Sequence, residues 1–196
     1  MIVHLEEWEW RHAMHVAAAR TTANWKKDDA PQYRGNKSRM EDNRTSNERS
    51  CVCELAVAKA TNRYWSGSEW PSDRHDDHKD KEADVGTNIE VRCIRTRKAF
   101  KIKEASDVGK GKILFGTETL LTSDGKDELK TVKIHGWIAI DKAWEELVNN
   151  NPPDYINKAE EHGFRTREVP IEMLHPLSLD ANGNYIDKRT DLTEED

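Results

Sequence analysis

No stretch of this chain holds about 18 consecutive apolar residues, so nothing in it reads as a membrane-crossing helix. Its start, Met1-Ile2-Val3-His4-Leu5-Glu6-Glu7, is acidic and soon amphipathic, without the basic and then apolar regions of a signal peptide. Both features predict a soluble protein of the cytoplasm. Cysteine is scarce: Cys51, Cys53 and Cys93 cannot all pair within one chain, and the Cys51-x-Cys53 spacing suits no disulfide framework, so reduced thiols are expected. Hydrophobic residues reach only 35%, matched by 35% charged, which predicts a heavily charged surface and segments without a packed core of their own. Also missing are a Gly-x-Gly-x-x-Gly turn, a phosphate-binding Gly-Lys-Ser/Thr loop and a Gly-x-Ser-x-Gly elbow. Dinucleotide, NTPase and serine-hydrolase readings therefore have no support.

The 196 residues suffice for one sizeable core with appendages, and scarcely for two full domains. The expected organisation is an N-terminal helix and polar linker over 1–50, a core with C-terminal helices over 51–179, and an acidic tail over 180–196. Leu5, Trp8, His12, Val16 and Ala19 recur at helical spacing and predict an amphipathic helix over about 5–20, anchored on the body by Trp8, with Trp10 off the stripe. Residues 24–50 hold almost nothing apolar and mix seven basic with five acidic residues, which predicts a solvated loop. Val52, Leu55, Ala56, Ala58 and Ala60 predict a second helix over 51–65, carrying Glu54 and Lys59.

Beyond Pro71 the charged and His-rich run 72–82 reads as a surface loop, and β patterns follow at 89–95, 112–121 and 131–140, with Gly125 in the last turn. Asp141 is placed to cap a helix over 142–149 that Asn151-Pro152-Pro153 stops. A short helix over 155–162 should end at Gly163, and residues 168–174 return to the body. No internal repeat is visible. The order of elements predicts an α/β fold, a mixed central sheet flanked by helices, with the first helix peripheral.

One run stands apart: Asp84-Val85-Gly86-Thr87-Asn88-Ile89-Glu90-Val91-Arg92. On a strand, side chains two apart share a face, so Glu90 and Arg92 should project together while Ile89, Val91 and Cys93 enter the core. Asp84, across the Gly86 turn, can swing back toward Glu90. Two carboxylates beside a fixed positive charge suit a divalent cation and a phosphodiester: oxygen ligands for the ion and a donor for the phosphate. Alternatively Glu90 and Arg92 form an ordinary ion pair on an exposed sheet face, and Glu54 sits near a helix N-terminus for the dipole alone.

With Glu54 on a helix, Asp84 at the turn and Glu90-x-Arg92 on the strand, residues 51–140 resemble the PD-(D/E)XK nuclease superfamily. The Asp-Val-Gly turn, the Glu-Val-Arg strand and Ile134-x-Gly136-Trp137-Ile138 are also similar to small proteins common in bacteriophage genomes, which would put the chain in a host cytoplasm. The resemblance implies a restriction-endonuclease-like fold and a nuclease that hydrolyses phosphodiester bonds in DNA with Mg²⁺ or Mn²⁺. Asp84 and Glu90 would be ligands, the Val91 carbonyl a third oxygen, and Glu54 the helix acid that orients a water. Arg92 stands where the family pattern has Lys. Guanidinium stays charged at any relevant pH and cannot act as a base, so Arg92 is expected to hold the scissile phosphate while Glu54 or Glu90 takes the proton.

The net charge of −6 argues against a polynucleotide partner, but its distribution does not. From Arg92 to Lys112 eight basic residues face two acidic ones, Glu104 and Asp107, and the neighbouring Arg95, Arg97 and Lys98 would track a DNA backbone. Two readings compete with the enzyme: an inactive nucleic-acid-binding module of the same fold, and a phage protein that engages a host protein through its acidic tail. A second metal cluster is conceivable at Asp73, His75, Asp76, Asp77, His78 and Asp80, or at Cys51 with Cys53, although neither has zinc-site spacing. His135 is expected as a hydrogen-bonded core histidine.

Overall fold

β-Branched and aromatic residues alternate with polar ones along the middle of the chain, and this period of two builds a central sheet. The computed structural model describes residues 1–25, 39–69, 82–94, 99–121, 127–150 and 166–178. Its elements run β1 (Ile2–His4), α1 (Glu7–Trp25), α2 (Arg39–Thr61), β2 (Ile89–Ile94), β3 (Ala99–Lys103), α3 (Glu104–Asp107), β4 (Ile113–Leu121), β5 (Asp127–Ala139), α4 (Ile140–Asn150) and β6 (Thr166–Pro170), followed by a 3-10 turn, Ile171–Met173.

The fold is α/β with a mixed sheet in the order β1-β5-β4-β2. β1 and β4 lie antiparallel to β5, while β2 lies parallel to β4 with Glu90 opposite Leu114. A parallel pair needs a crossover, and the chain between β2 and β4 supplies it with β3 and α3. β3 pairs with β6 in a second, two-stranded sheet.

Each face of the main sheet has its own apolar cover. Ile89, Val91, Ile113, Phe115, Val132 and Ile134 pack against Ala13, Val16 and Ala17 of α1 and Val52, Ala56 and Val57 of α2. On the other side Leu114 and Ile138 meet Phe100, Ile102 and Val169 of the small sheet. Ile140, Ala143, Trp144 and Leu147 of α4 join them at the i, i+3, i+4, i+7 spacing of one helical face.

Several expectations need correction. The predicted loop 24–50 is largely helix where it is described: α1 runs to Trp25 and α2 already begins at Arg39. Arg, Glu and Met are good helix formers there, so propensity supports a helix that no apolar stripe announces. α2 ends at Thr61 rather than 65, with Asn62 at a φ of +50°, a left-handed conformation that Asn tolerates at a helix end.

The buried stripe of α1 is also one position off. Trp8 is 69% exposed and anchors nothing, while Ala13, Val16 and Ala17 go in and Trp10 is half-buried. Glu9 is buried because Lys59 meets it at 2.7 Å, so an ion pair occupies a position that periodicity gives to an apolar residue. α1 is thus part of the core, not a peripheral appendage. Asp141 accepts from the Gly109 N–H at 2.6 Å, which ties α4 to the crossover. Gly125, the 155–162 helix and the tail over 180–196 lie outside the described residues. No helix among the described residues is long and apolar enough to cross a membrane.

Candidate active site

β2 is the edge strand of the main sheet, and the residues before it fold back along its open side. Val85 pairs with both Trp65 and Ile89 in antiparallel bridges, and Gly86 takes a φ of +59° to make the turn between them. This fold-back delivers Asp84 to the edge, where its Oδ2 accepts the Val91 N–H at 2.7 Å. Alternation holds along β2: Ile89 and Val91 are buried among the helices, and Glu90 and Arg92 share the opposite face.

Arg92 gathers the carboxylates. Its Nη1 lies 3.0 Å from Glu90 Oε2 and 3.7 Å from Asp84 Oδ2, and its Nη2 lies 3.2 Å from each oxygen of Asp107. Asp107 is fixed in turn by the Lys103 N–H at 2.8 Å and the Ser106 hydroxyl at 2.7 Å. Glu90 is only 6% exposed, and its other oxygen, Oε1, pairs with the buried Lys112 ammonium at 2.5 Å. The Glu90–Arg92 pair is therefore no solvated pair on an exposed face, as an isolated surface bridge would be.

Glu54 lies in the middle of α2, not in a first turn, so the helix dipole does not explain it. Arg20 of α1 clamps it with two bonds of 2.8 and 2.9 Å, and the Trp65 indole N–H donates to its Oε2 at 2.9 Å. Arg20 also donates to the Ser68 carbonyl, which ties α1, α2 and the segment leading to Asp84 together. Both Glu54 oxygens are engaged, so its influence on the site is through its charge.

That charge is felt. Burial, reinforced by Glu54 and then Glu90, pushes the Asp84 carboxyl up to about 8, against the opposing pull of Arg92 and the Val91 N–H. Burial works against the Arg92 cation, but Glu90, Asp84 and Asp107 outweigh it and hold the guanidinium above its ordinary value. Four carboxylates (Glu54, Asp84, Glu90, Asp107) thus face three cations (Arg20, Arg92, Lys112). The surplus negative charge falls on Asp84, where a proton or a further cation relieves it.

Asp84, Glu90, Val91 and Arg92 are brought together as the motif predicts, and Glu54 acts on Asp84 from the adjoining helix. Arg95, Arg97 and Lys98 lie outside the described residues, as do the His and Asp residues of 73–80. Of the basic run, Arg92 and Lys112 point inward as counter-charges rather than outward as a surface patch. Motif reading missed Lys112 and Asp107. Lys112 precedes β4 by one residue, and only the parallel register sets it beside Glu90. Asp107's sole signal was an acid inside a basic run.

Cys51, Cys53 and Cys93 are thiols, as expected, and burial followed by the Glu54 charge pushes Cys51 up to about 12, which disfavours a thiolate metal ligand. His135 Nε2 lies 3.1 Å from Glu118 Oε2, with its ring against Phe100: the partnered histidine the sequence suggested.

Comparison with family models, curated proteins and solved structures finds no match to this chain. Among the described residues no three His, Cys, Asp or Glu side chains stand ready to hold a metal ion by themselves. The donor set still fits Mg²⁺ or Mn²⁺, which commonly take one or two carboxylates and complete their shell with water and substrate phosphate. Asp84 and Glu90 already share one cationic nitrogen. Two residues before Glu90, the Asn88 Oδ1 is buried without a protein partner, an acceptor still open to water or an ion.

Proposed function

We propose that this chain is a metal-dependent nuclease of the PD-(D/E)XK, restriction-endonuclease-like kind, hydrolysing phosphodiester bonds in DNA with Mg²⁺ or Mn²⁺. The observation that carries the reading is the convergence of Asp84 and Glu90 on Arg92 Nη1 at the edge of the sheet, with Lys112 on the far oxygen of Glu90. Asp84, Glu90 and the Val91 carbonyl would hold the ion. When bound, the ion supplies Lewis-acid charge at the phosphate and a more acidic water.

The remaining work belongs to the chain. Asp107 grips one nitrogen of Arg92 with both oxygens, so the guanidinium is aimed before substrate arrives and would set its positive charge against a non-bridging phosphate oxygen. Lys112 fixes the rotamer of Glu90 and brings to the site the ammonium that the Glu-x-Arg motif lacks. Burial of Glu90 keeps water from weakening these contacts.

An inactive nucleic-acid-binding module is favoured by one observation: Glu54 and Glu90 already have their cations, from Arg20, Lys112 and Arg92. Calorimetric titration of Mn²⁺ into the wild type, Asp84→Asn and Glu90→Gln, with nicking of a supercoiled plasmid in parallel, separates the two. The nuclease binds Mn²⁺, loses roughly tenfold or more in affinity with either substitution, and stops nicking in Asp84→Asn. A protein that binds DNA, but neither takes up Mn²⁺ nor nicks, is the module.

A further inference from the structure

Two of the three thiols meet across the joint between α2 and β2. Cys93 follows Arg92 on β2 and points to the helix side of the sheet, where it joins the apolar layer under α1 and α2. Parallel pairing sets it beside Thr117 of β4, whose hydroxyl donates to the Arg92 carbonyl at 3.1 Å. Cys53 of α2 comes down on both: its thiol is in hydrogen-bond contact with the Cys93 sulfur and with the Thr117 side chain. Thiols in contact across two elements supply the converging side chains that a disulfide requires.

The two differ in access. Cys53 is wholly buried, whereas Cys93, on the edge strand of the main sheet, is half-buried. Burial, and then the contact with Cys93, pushes the Cys53 thiol well up and keeps it protonated, so a small oxidant meets Cys93 first. Cys51 is wholly buried too, and side chains two apart on a helix do not share a face; its surroundings are the charges of Glu54, Arg20 and Asp84. In the chain Cys53 directly precedes Glu54, and Cys93 directly follows Arg92. A bond between these sulfurs would tie the helix acid to the strand arginine, whatever reaction the site performs.

We propose that Cys53 and Cys93 form a reversible oxidation site, closed to a disulfide by a hydroperoxide and reopened by a dithiol, that clamps β2 to α2 beside the candidate active site. The Cys93 sulfur, its proton released to solvent, attacks a peroxide oxygen; the S–O bond forms, the O–O bond breaks, and the departing hydroxide takes up a proton as water. Cys53 then attacks the sulfenic sulfur of Cys93. The S–S bond forms, the S–O bond breaks, and the hydroxyl leaves with the Cys53 proton as a second water. Two thiols lose two electrons and the peroxide gains them. The second step needs no diffusion, so a thiol held protonated still resolves the first. In reopening, the added dithiol displaces both sulfurs by exchange and is itself oxidised to a disulfide.

The test treats the full, folded chain with dilute hydrogen peroxide, then unfolds it, alkylates the remaining thiols and maps them by mass spectrometry after trypsin. The oxidised chain should be two hydrogens lighter and keep one alkylatable thiol of its three cysteines. Ser50–Lys59 should be joined to Cys93–Arg95, with fragmentation placing the bond on Cys53, and dithiothreitol should restore all the thiols. Cys51→Ala should still close the bond, and Cys93→Ser should leave Cys53 alkylatable. The closed form should unfold at higher urea than the reduced one, because the loop from 53 to 93 is held in the unfolded chain. A bond on Cys51, a bond between two chains, or Cys93 carried to its sulfinic acid with Cys53 still a thiol overturns the proposal. So does a closed form that unfolds at lower urea, since the sulfurs would then be strained together rather than placed together. None of these readings depends on DNA or metal, so failure of the nuclease reading leaves the outcome unaffected.

Discussion

Replacing Arg20 by Met should unfold a large part of this protein's stability, and the reason lies in what it leaves behind. Glu54 is only 5% exposed and accepts two bonds from Arg20 and one from Trp65. Without Arg20, a buried carboxylate keeps a single neutral donor, and stranding a charge in this way costs about 3–5 kcal/mol. The Ser68 carbonyl loses its donor as well, an additional cost of about 1 kcal/mol. Glu54→Met alone strands the guanidinium instead and costs a similar amount. Replacing both residues removes both charges together, leaving mainly the Trp65 N–H unpaired at about 1–3 kcal/mol.

The double variant should therefore be more stable than either single one, with a coupling energy of about 2 kcal/mol or more. Urea unfolding followed by tryptophan fluorescence reads this directly, since the Trp65 indole N–H donates to Glu54. Simple additivity of the two substitutions, or a cost below about 1 kcal/mol for Arg20→Met, would refute the buried clamp.

Burial raises the Asp107 carboxyl, but Arg92 and the donors at Lys103 and Ser106 outweigh it and hold it below the usual range, so its stabilising contribution is complete above about pH 4 and lost as pH falls through its folded value. Asp107→Asn should cost about 2–4 kcal/mol at neutral pH, and the gap to wild type should close in acid; a constant gap across an acid titration of stability contradicts this. Gly136→Ala should be more damaging than Gly116→Ala, because a Cβ at 136 would stand 2.3 Å from the His175 carbonyl oxygen, at a φ of +155°, whereas one at 116 meets the ends of Phe100 and Leu174 side chains. Thermal melts should rank them so, with Gly116→Ala costing about 1–3 kcal/mol. Changing Arg95, Arg97 and Lys98 together to Ala should lower the slope of log affinity against log salt for DNA by roughly 2–3, and an unchanged slope removes them from the interface.

Local pattern was enough to announce the strand Ile89–Ile94, the common face of Glu90 and Arg92, and the return of Asp84 across a Gly turn, because strand alternation and turn chemistry act over a few residues. The order of elements was also enough for an α/β fold with a mixed central sheet flanked by helices. It misled wherever a polar residue found its partner far along the chain. Glu9 is buried because of Lys59, and with Glu9 inside, the α1 stripe turns by one position and Trp8 faces water. Glu54, readable as a helix acid, is clamped by Arg20 from another helix and by Trp65 from beyond its own. Lys112 and Asp107 join the site only because β2 and β4 pair in parallel, which sends the intervening chain over the sheet and back to the edge that Arg92 occupies. A charge shows in a sequence; the counter-charge that lets it be buried is chosen by strand register and helix packing, which depend on contacts many residues apart.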